Sequence, residues 1–328
     1  MFWFGHTGRC GSFPRLPERM PDGHPSKTLE AEITGVGRCS GHHGELLQGA
    51  FPGPAGGLVR ALVTLPFPVA GTVAMAELSP DPAEVAVCPP DRAKAAFAAR
   101  LTLGRLGLRR GVRVILRGGM PAGWGLGSST ADVVATVRAV GSAAGVRLPA
   151  ATVARLAVAA EGATDPLMFG GAVPLFGQRT GRVVRMLGDR LPPLHVVGCN
   201  PGGVPVDTLR HPPAVYSVAE LRELARLATA LERAVRQADV PGIGAVATAS
   251  ARLNQRFLPS PRLEELLALG TGLGAAGIQV AHSGTVAGLI FTSARAAAAG
   301  QQALTGFGAT WRFAVNAAPT STGLRASN

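Results

Sequence analysis

The stretch Pro121-Ala-Gly-Trp-Gly-Leu-Gly-Ser-Ser-Thr-Ala-Asp132 constrains this chain more than any other. It joins a run with the character of a strand, 112–117, to a long apolar pattern of helical length. Glycines 123, 125 and 127 let the backbone take positive φ and come close to a ligand. Their N–H groups can form a nest for anionic oxygens, and a helix starting directly afterwards adds free N–H groups and partial positive charge. Ser128 or Ser129 is the expected N-cap, with Asp132 completing a capping box from Ser129. The pattern points to a phosphate cradle, beside the plainer alternative of a serine-capped glycine connection without ligand. Other phosphate loops fit badly. No Gly-Lys-Ser/Thr occurs, and the Rossmann fingerprint breaks at Ser128, with no acid between Asp132 and Glu161 to hold a ribose.

Pro121-x-x-x-Gly-Leu-Gly-Ser-Ser129 resembles the second motif of the GHMP small-molecule kinases, the superfamily of galactokinase, homoserine kinase and mevalonate kinase. The continuation Ser-Ser-Thr-Ala-Asp132 is similar to the L-threonine kinases of cobalamin biosynthesis within that superfamily. Composition is compatible. The chain has 328 residues, 47% hydrophobic and 16% charged, which fits one large or two modest globular domains. A net charge of +12 invites a nucleic-acid reading, but the basic residues are scattered arginines, with Lys27 and Lys94 the only lysines and aromatics at 5%. Attraction for anionic small molecules such as nucleotides is the better reading, with no nucleic-acid partner. Cys10, Cys39, Cys88 and Cys199 are far apart without a C-x-x-C, so neither a zinc site nor a disulfide framework is indicated and reduced thiols are the default. The longest uncharged run, 61–76, is short and broken by Pro66 and Pro68, and the start lacks the n-region and h-region of a signal peptide, so a cytoplasmic protein without a membrane partner is expected.

Along the chain, 1–28 is rich in Gly, Pro and Arg without a period and is expected to be a disordered extension, within which Met20 is a candidate start. Strands are expected at 30–38, 58–64, 71–77, 112–117, 172–175, 182–187 and 194–198, with helices at 91–106, 129–144 and 150–160. Helices at 218–238, 243–254 and 262–269 follow, then strands at 278–281 and 286–291, a helix at 294–304 and a last strand at 311–315. This order predicts an α+β fold in two lobes, 29–190 and 191–328.

Three further groups carry chemistry. Glu45 is the only acid between Glu32 and Glu77 and falls in what reads as a glycine-rich turn, 41–49. Gly44-Glu-Leu-Leu-Gln-Gly49 is similar to the first motif of the threonine kinase branch, although His42-His43 stand where that branch has Thr-Cys or Ser-Cys. Glu161 and Asp165 are the only acids between Asp132 and Asp189, and Pro166 biases Asp165 away from helix, so the helix should end between them. An exposed turn explains such a pair, as does cation and proton binding. Glu161-Gly-Ala-Thr-Asp165-Pro-Leu-Met-Phe169 resembles the branch's Glu-Pro-Thr-Asp-x-x-Met-Phe. Gly277-Ile-Gln-Val-Ala-His-Ser-Gly-Thr-Val286 reads as a strand-loop-strand connection and resembles the third motif. Partial matches occur at Gly202-Gly203 with Asp207-Thr208, and at Leu253-Asn-Gln255 before Leu258-Pro259.

The resemblance runs from about residue 33 to 291 in order. It implies the GHMP kinase fold, with an N-terminal lobe related to ribosomal protein S5 domain 2 and a ferredoxin-like C-terminal lobe. It implies an ATP- and Mg²⁺-dependent kinase phosphorylating the hydroxyl of L-threonine or a similar hydroxy amino acid. Another small alcohol, such as homoserine or a specialised-metabolite intermediate, and a non-catalytic nucleotide-binding module stay open as alternatives. By resemblance Pro121, Gly123, Gly125, Leu126, Gly127, Ser128, Ser129 and Thr130 would hold the nucleotide, and Ser129 with Glu161 would hold Mg²⁺. Asp165 would orient or deprotonate the acceptor hydroxyl, and Glu45, Gln48, His282, Ser283, Gly284 and Thr285 would lie on the substrate. Trp124 stands where the branch often has lysine, which implies a phosphate cation lost or supplied by an arginine.

Overall fold

The computed structural model describes residues 34–53, 56–202 and 214–317. The expected extension 1–28 with Met20, the start of the first strand before Thr34, and the matches at Gly203, Asp207 and Thr208 lie outside them. Two long strands set the frame: β1 (Thr34–Pro52) and β2 (Leu58–Ser79) pair antiparallel from end to end. β1 alternates exposed and buried residues as far as Ser40 and is buried on both faces from Gly41 to Phe51. The expected turn at 41–49 is therefore a strand. Gly41 and Gly44 mark register shifts in the β1–β2 ladder, and the pairing continues through them. β2 likewise runs through Pro66, which stays in register with His42, and through Pro68, where residues 68–70 form an irregularity opposite Ser40 and Gly41 that needs no ladder donors.

β4 (Gly111–Gly118) lies along β2, and β3 (Val85–Cys88), too short for its alternation to be legible in the sequence, adds parallel at the edge. Helices α1 (Ala93–Arg105), α2 (Ser128–Ala143) and α3 (Ala150–Glu161) cover one face of these strands. α2 is apolar nearly all round and buried, and it sits so close to β1 that a Cβ on Gly35 or Gly37 would meet its backbone at 2.1 and 2.0 Å. The hairpin β5 (Val173–Gly177) and β6 (Arg182–Gly188) branches from β2.

In the second half β7 (Leu194–Cys199), β8 (Gly277–Val280), β9 (Ala287–Phe291) and β10 (Thr310–Val315) lie in the order β10-β7-β9-β8, the split βαβ arrangement of ferredoxin-like folds. Between β7 and β8 come α4 (Val218–Arg236), α5 (Val240–Asn254) and α6 (Leu263–Gly272), and between β9 and β10 comes α7 (Ala294–Ala303). α4 opens with a Ser217/Glu220 capping box and buries Leu224, Leu227, Ala228, Leu231, Ala234 and Val235 at helical spacing. The two halves share one sheet, joined by a single antiparallel pair, Glu45 with Val280. The apolar core crosses the link at 189–193: Leu46, Val63 and Leu175 belong to the same cluster as Leu194, Leu224, Ile243 and Ile290.

Cys39 and Cys199 are buried free thiols. No helix among the described residues is long and apolar enough to cross a membrane.

Candidate active site

The glycine-rich loop connects β4 to α2 with Gly123, Gly125 and Gly127 at φ of 78°, 84° and 71°. Gly127 is the N-cap of α2, in the left-handed conformation and without any side-chain cap. The expected capping by Ser129 and Asp132 is therefore replaced. Because the third glycine already turns the chain into the helix, the serines become its first residues and their side chains are free for other partners. Ser129 Oγ donates to Glu161 Oε2 at 2.9 Å, while Asp132 accepts from Thr72 Oγ1 at 2.6 Å and lies 3.5 Å from Arg92. The first-turn N–H groups of α2 are left for a ligand, an arrangement that suits phosphate.

Facing this loop are the two acids. α3 ends at Glu161 because Gly162 takes φ 79°, and Asp165 starts the connection to a 3-10 turn, Leu167–Phe169, as Pro166 demands. Thr130 Oγ1 lies 2.9 Å from Glu161 Oε1 and 3.4 Å from Asp165 Oδ2, so the first turn of α2 binds both carboxylates. Burial, with the Asp165 charge nearby, pushes Glu161 up to about 7, although the hydroxyls of Thr130 and Ser129 pull it down. Asp165 is under the opposite balance. Burial raises it, but the charge and hydrogen bond of His42, 3.1 Å away, outweigh that and hold it at about 2. The loop, the two acids, His42, Lys94, Thr164, Gln178, His282 and Ser283 line one cavity of about 390 Å³.

From the other half, the loop between β8 and β9 closes against the glycine loop. Thr285 N and Val286 N both donate to Trp124 O, at 3.0 and 3.1 Å, and the Trp124 indole stacks on Trp311 of β10 at 5.8 Å between ring centroids. Family comparisons agree with this geometry over both halves. The model for the GHMP kinases N terminal domain matches residues 92–171 and that for the GHMP kinases C terminal region matches 218–310, together more than half of the chain. The chain is a GHMP kinase.

The L-threonine kinase of Salmonella typhimurium is 28% identical over 276 residues, covering 81% of this kinase and 86% of that protein. Among solved structures, homoserine kinase from Cytophaga hutchinsonii superposes with a TM-score of 0.62 at 16% identity, covering 89% of this kinase and 97% of that chain. L. major mevalonate kinase, solved with R-mevalonate, gives 0.56 at 17% identity, covering 89% and 98%. These likenesses agree with the observed fold, and the family makes the protein an ATP-using phosphotransferase acting on an alcohol.

Of the residues the sequence singled out, Gly123, Gly125, Leu126, Gly127, Ser128, Ser129, Thr130, Glu161, Asp165, His282 and Ser283 line the kinase's cavity. Glu45 is buried just behind it, its Oε1 2.9 Å from His282 Nδ1. Gly284 and Thr285 hold the seam with Trp124. Pro121 is exposed at the start of the loop, outside the cavity lining. Gln48 lies elsewhere: its backbone N–H donates to Ser250 Oγ at 3.0 Å, and its carbonyl accepts from Asn254 Nδ2 at 3.0 Å, tying β1 to α5. Lys94, in the first turn of α1, brings a cation to the cavity, where the resemblance implied a cation lost or supplied by an arginine. Its rarity, one of two lysines, was the available signal. His42 was also missed as a contributor, and it differs sharply from its neighbour. His43 is held by burial at about 3, neutral, among the rings of Phe67, Trp311 and Phe313.

Mg²⁺ fits the residues present. Ser129 and Glu161 offer hard oxygen donors, and among the described residues Glu161 is a buried carboxylate satisfied by neutral hydroxyls alone, which a divalent cation would relieve. His42, Glu45 and Asp165 also place ligand atoms within 4.8 Å of one another, but the His42 ring already bonds Asp165, so this group neutralises itself.

Proposed function

We propose that this kinase transfers the γ-phosphoryl group of Mg·ATP to the side-chain hydroxyl of L-threonine, giving O-phospho-L-threonine and ADP. The observation that carries the reading is one cavity with an anion cradle on one wall and Glu161 and Asp165 on the other. The similarity to the L-threonine kinase of Salmonella typhimurium supports threonine over other small alcohols.

In this reading the N–H groups of the glycine loop and of the first turn of α2 take the β- and γ-phosphate oxygens, with Lys94 adding positive charge. Ser129 and Glu161 would hold Mg²⁺, which would supply neutralisation of phosphate charge when bound. Asp165 accepts a hydrogen bond from the acceptor hydroxyl and aims its oxygen at phosphorus. The new bond runs from that oxygen to the γ-phosphorus, the bond from the γ-phosphorus to the bridging oxygen breaks, and the hydroxyl proton passes to Asp165 late in the step. A carboxylate held near 2 is a weak resting base, so orientation is its main contribution. Phosphoryl transfer tolerates this because little charge builds on the attacking oxygen.

The test is ADP release from ATP with L-threonine, L-serine, L-homoserine and mevalonate as acceptors. Threonine-dependent release with the highest kcat/KM of the panel supports the reading, and a preference for any other member replaces threonine with that acceptor.

A further inference from the structure

A buried string of alternating imidazoles and carboxylates runs from the second half of the chain to the cavity, and phosphate binding does not use it. His282 Nδ1 lies 2.9 Å from Glu45 Oε1, the same oxygen lies 3.7 Å from His42 Nδ1, and His42 Nε2 lies 3.1 Å from Asp165 Oδ2. The Glu45 side chain is fully buried and that of His42 is 2% exposed. Buried charge demands partners, and each carboxylate here abuts a ring able to carry positive charge, although among the described residues His42 Nδ1 and Glu45 Oε2 make no hydrogen bond.

His42 is held from three sides. Its backbone N donates to Leu126 O at 3.1 Å, and its ring packs under the phosphate loop so closely that a Cβ on Gly127 would stand 2.4 Å from His42 Cδ2. The third restraint is the Asp165 contact itself. Among the described residues the Asp165 carboxylate has two hydrogen-bond partners, His42 Nε2 and Thr130 Oγ1, and both engage Oδ2.

We propose that His42 is a positioning residue for phosphoryl transfer: anchored through Glu45 to His282, it clamps Oδ2 of Asp165 and so reserves Oδ1 for the acceptor hydroxyl. The inference rests on the reading of Asp165 as the residue that meets the acceptor. The groups facing His42 are Glu45 on its own strand, Asp165 after α3, and His282 from the β8–β9 loop, with Glu161 and Lys94 elsewhere on the cavity wall. Burial pulls His42 down, but the charges of Asp165 and Glu45 overcome it and raise the imidazole to about 9, which keeps it a donor at neutral pH.

The experiment compares His42→Ala and His42→Gln with wild type and with Asp165→Asn, using ATP and L-threonine. The glutamine amide keeps a neutral donor within reach of Oδ2. His42→Ala is expected to lower kcat about 100-fold, the scale of a 1 Å misplacement, with the KM for ATP within about twofold. His42→Gln is expected to regain at least about tenfold of that loss, while the acid limb of its pH profile moves upward because Asp165 has lost a cation. Circular dichroism establishes that each variant is folded, and if the alanine variant is not, the glutamine variant carries the test through its pH profile alone. A readout independent of turnover is the ¹⁵N spectrum of the imidazoles: His42 is doubly protonated at pH 8 in wild type and loses a proton there in Asp165→Asn. An inactive Asp165→Asn beside a His42→Ala within about threefold of wild-type kcat overturns the clamp and leaves the Asp165 reading intact. Wild-type turnover in Asp165→Asn overturns both, and equal losses for Ala and Gln with a raised acceptor KM make His42 a substrate contact instead.

Discussion

Gly284→Ala probes the seam between the phosphate loop and the second half of the chain. An added Cβ would stand 2.1 Å from Gly125 N and 2.2 Å from both C and O of Trp124, where ordinary contact begins at 3.4 Å. All three neighbours are backbone, so no side-chain rotation relieves the clash and the loop must recede by about 1 Å. Overpacking of this kind costs about 1–3 kcal/mol, and the two hydrogen bonds from Thr285 N and Val286 N to Trp124 O add about 1 kcal/mol each if they break. The loop either stays docked and destabilises the fold, or lifts off and carries with it the N–H groups proposed to hold the nucleotide. The second route is the easier, because the loop is the smaller body, and a displacement of about 1 Å lowers kcat/KM about 100-fold. The assay is steady-state ADP release together with calorimetric titration of a non-hydrolysable ATP analogue. Gly104→Ala is the control: it sits in α1 with nothing within 4 Å of the added Cβ, and should stabilise by about 0.5–1 kcal/mol without changing kcat/KM. A Gly284→Ala enzyme with kcat/KM within about threefold of wild type would refute the claim that this seam fixes the phosphate loop.

Other expectations follow from the same geometry. Lys94→Ala should weaken ATP binding about 10- to 100-fold with kcat little changed, measured as KM for ATP and by calorimetry, since one charge-assisted contact is worth about 1.5–3 kcal/mol. Ser129→Ala should raise the Mg²⁺ concentration needed for half-maximal ADP release, and an unchanged requirement would remove Ser129 from the metal site. His42 has a higher pKa folded than unfolded, so it stabilises the fold fully below 6.5 and loses that contribution as pH rises through about 9. The stability of wild type should therefore fall relative to His42→Gln across that window by an amount on the order of 3 kcal/mol, read by chemical denaturation at each pH.

Much of the site was legible because its signals are local. Pro166 and Gly162 mark the helix end that separates Glu161 from Asp165, and the spacing of glycines 123, 125 and 127 marks the cradle. The helix expected at 218–238 is α4, Val218–Arg236. What failed depended on distant partners. Glu45 looked like a turn residue because Gly41 and Gly44 are turn formers in isolation, yet β2 on one side and β8 on the other hold this stretch as strand. Ser129 and Asp132 looked like a capping box because their better partners, Glu161, Thr72 and Arg92, are 32 or more positions away from them in the chain. Lys94 and His42 reach the cavity only because α1 and β1 converge on the loop, and nothing in their own neighbourhoods says so.

The central claim is that the walls of this one cavity hold Mg·ATP and an acceptor hydroxyl in line. Phosphorus-31 NMR of the protein with ATP, Mg²⁺ and L-threonine tests it directly. The account predicts a phosphomonoester signal growing in step with ADP and absent with Asp165→Asn. Unchanged ATP, or inorganic phosphate alone in place of the monoester, would contradict it.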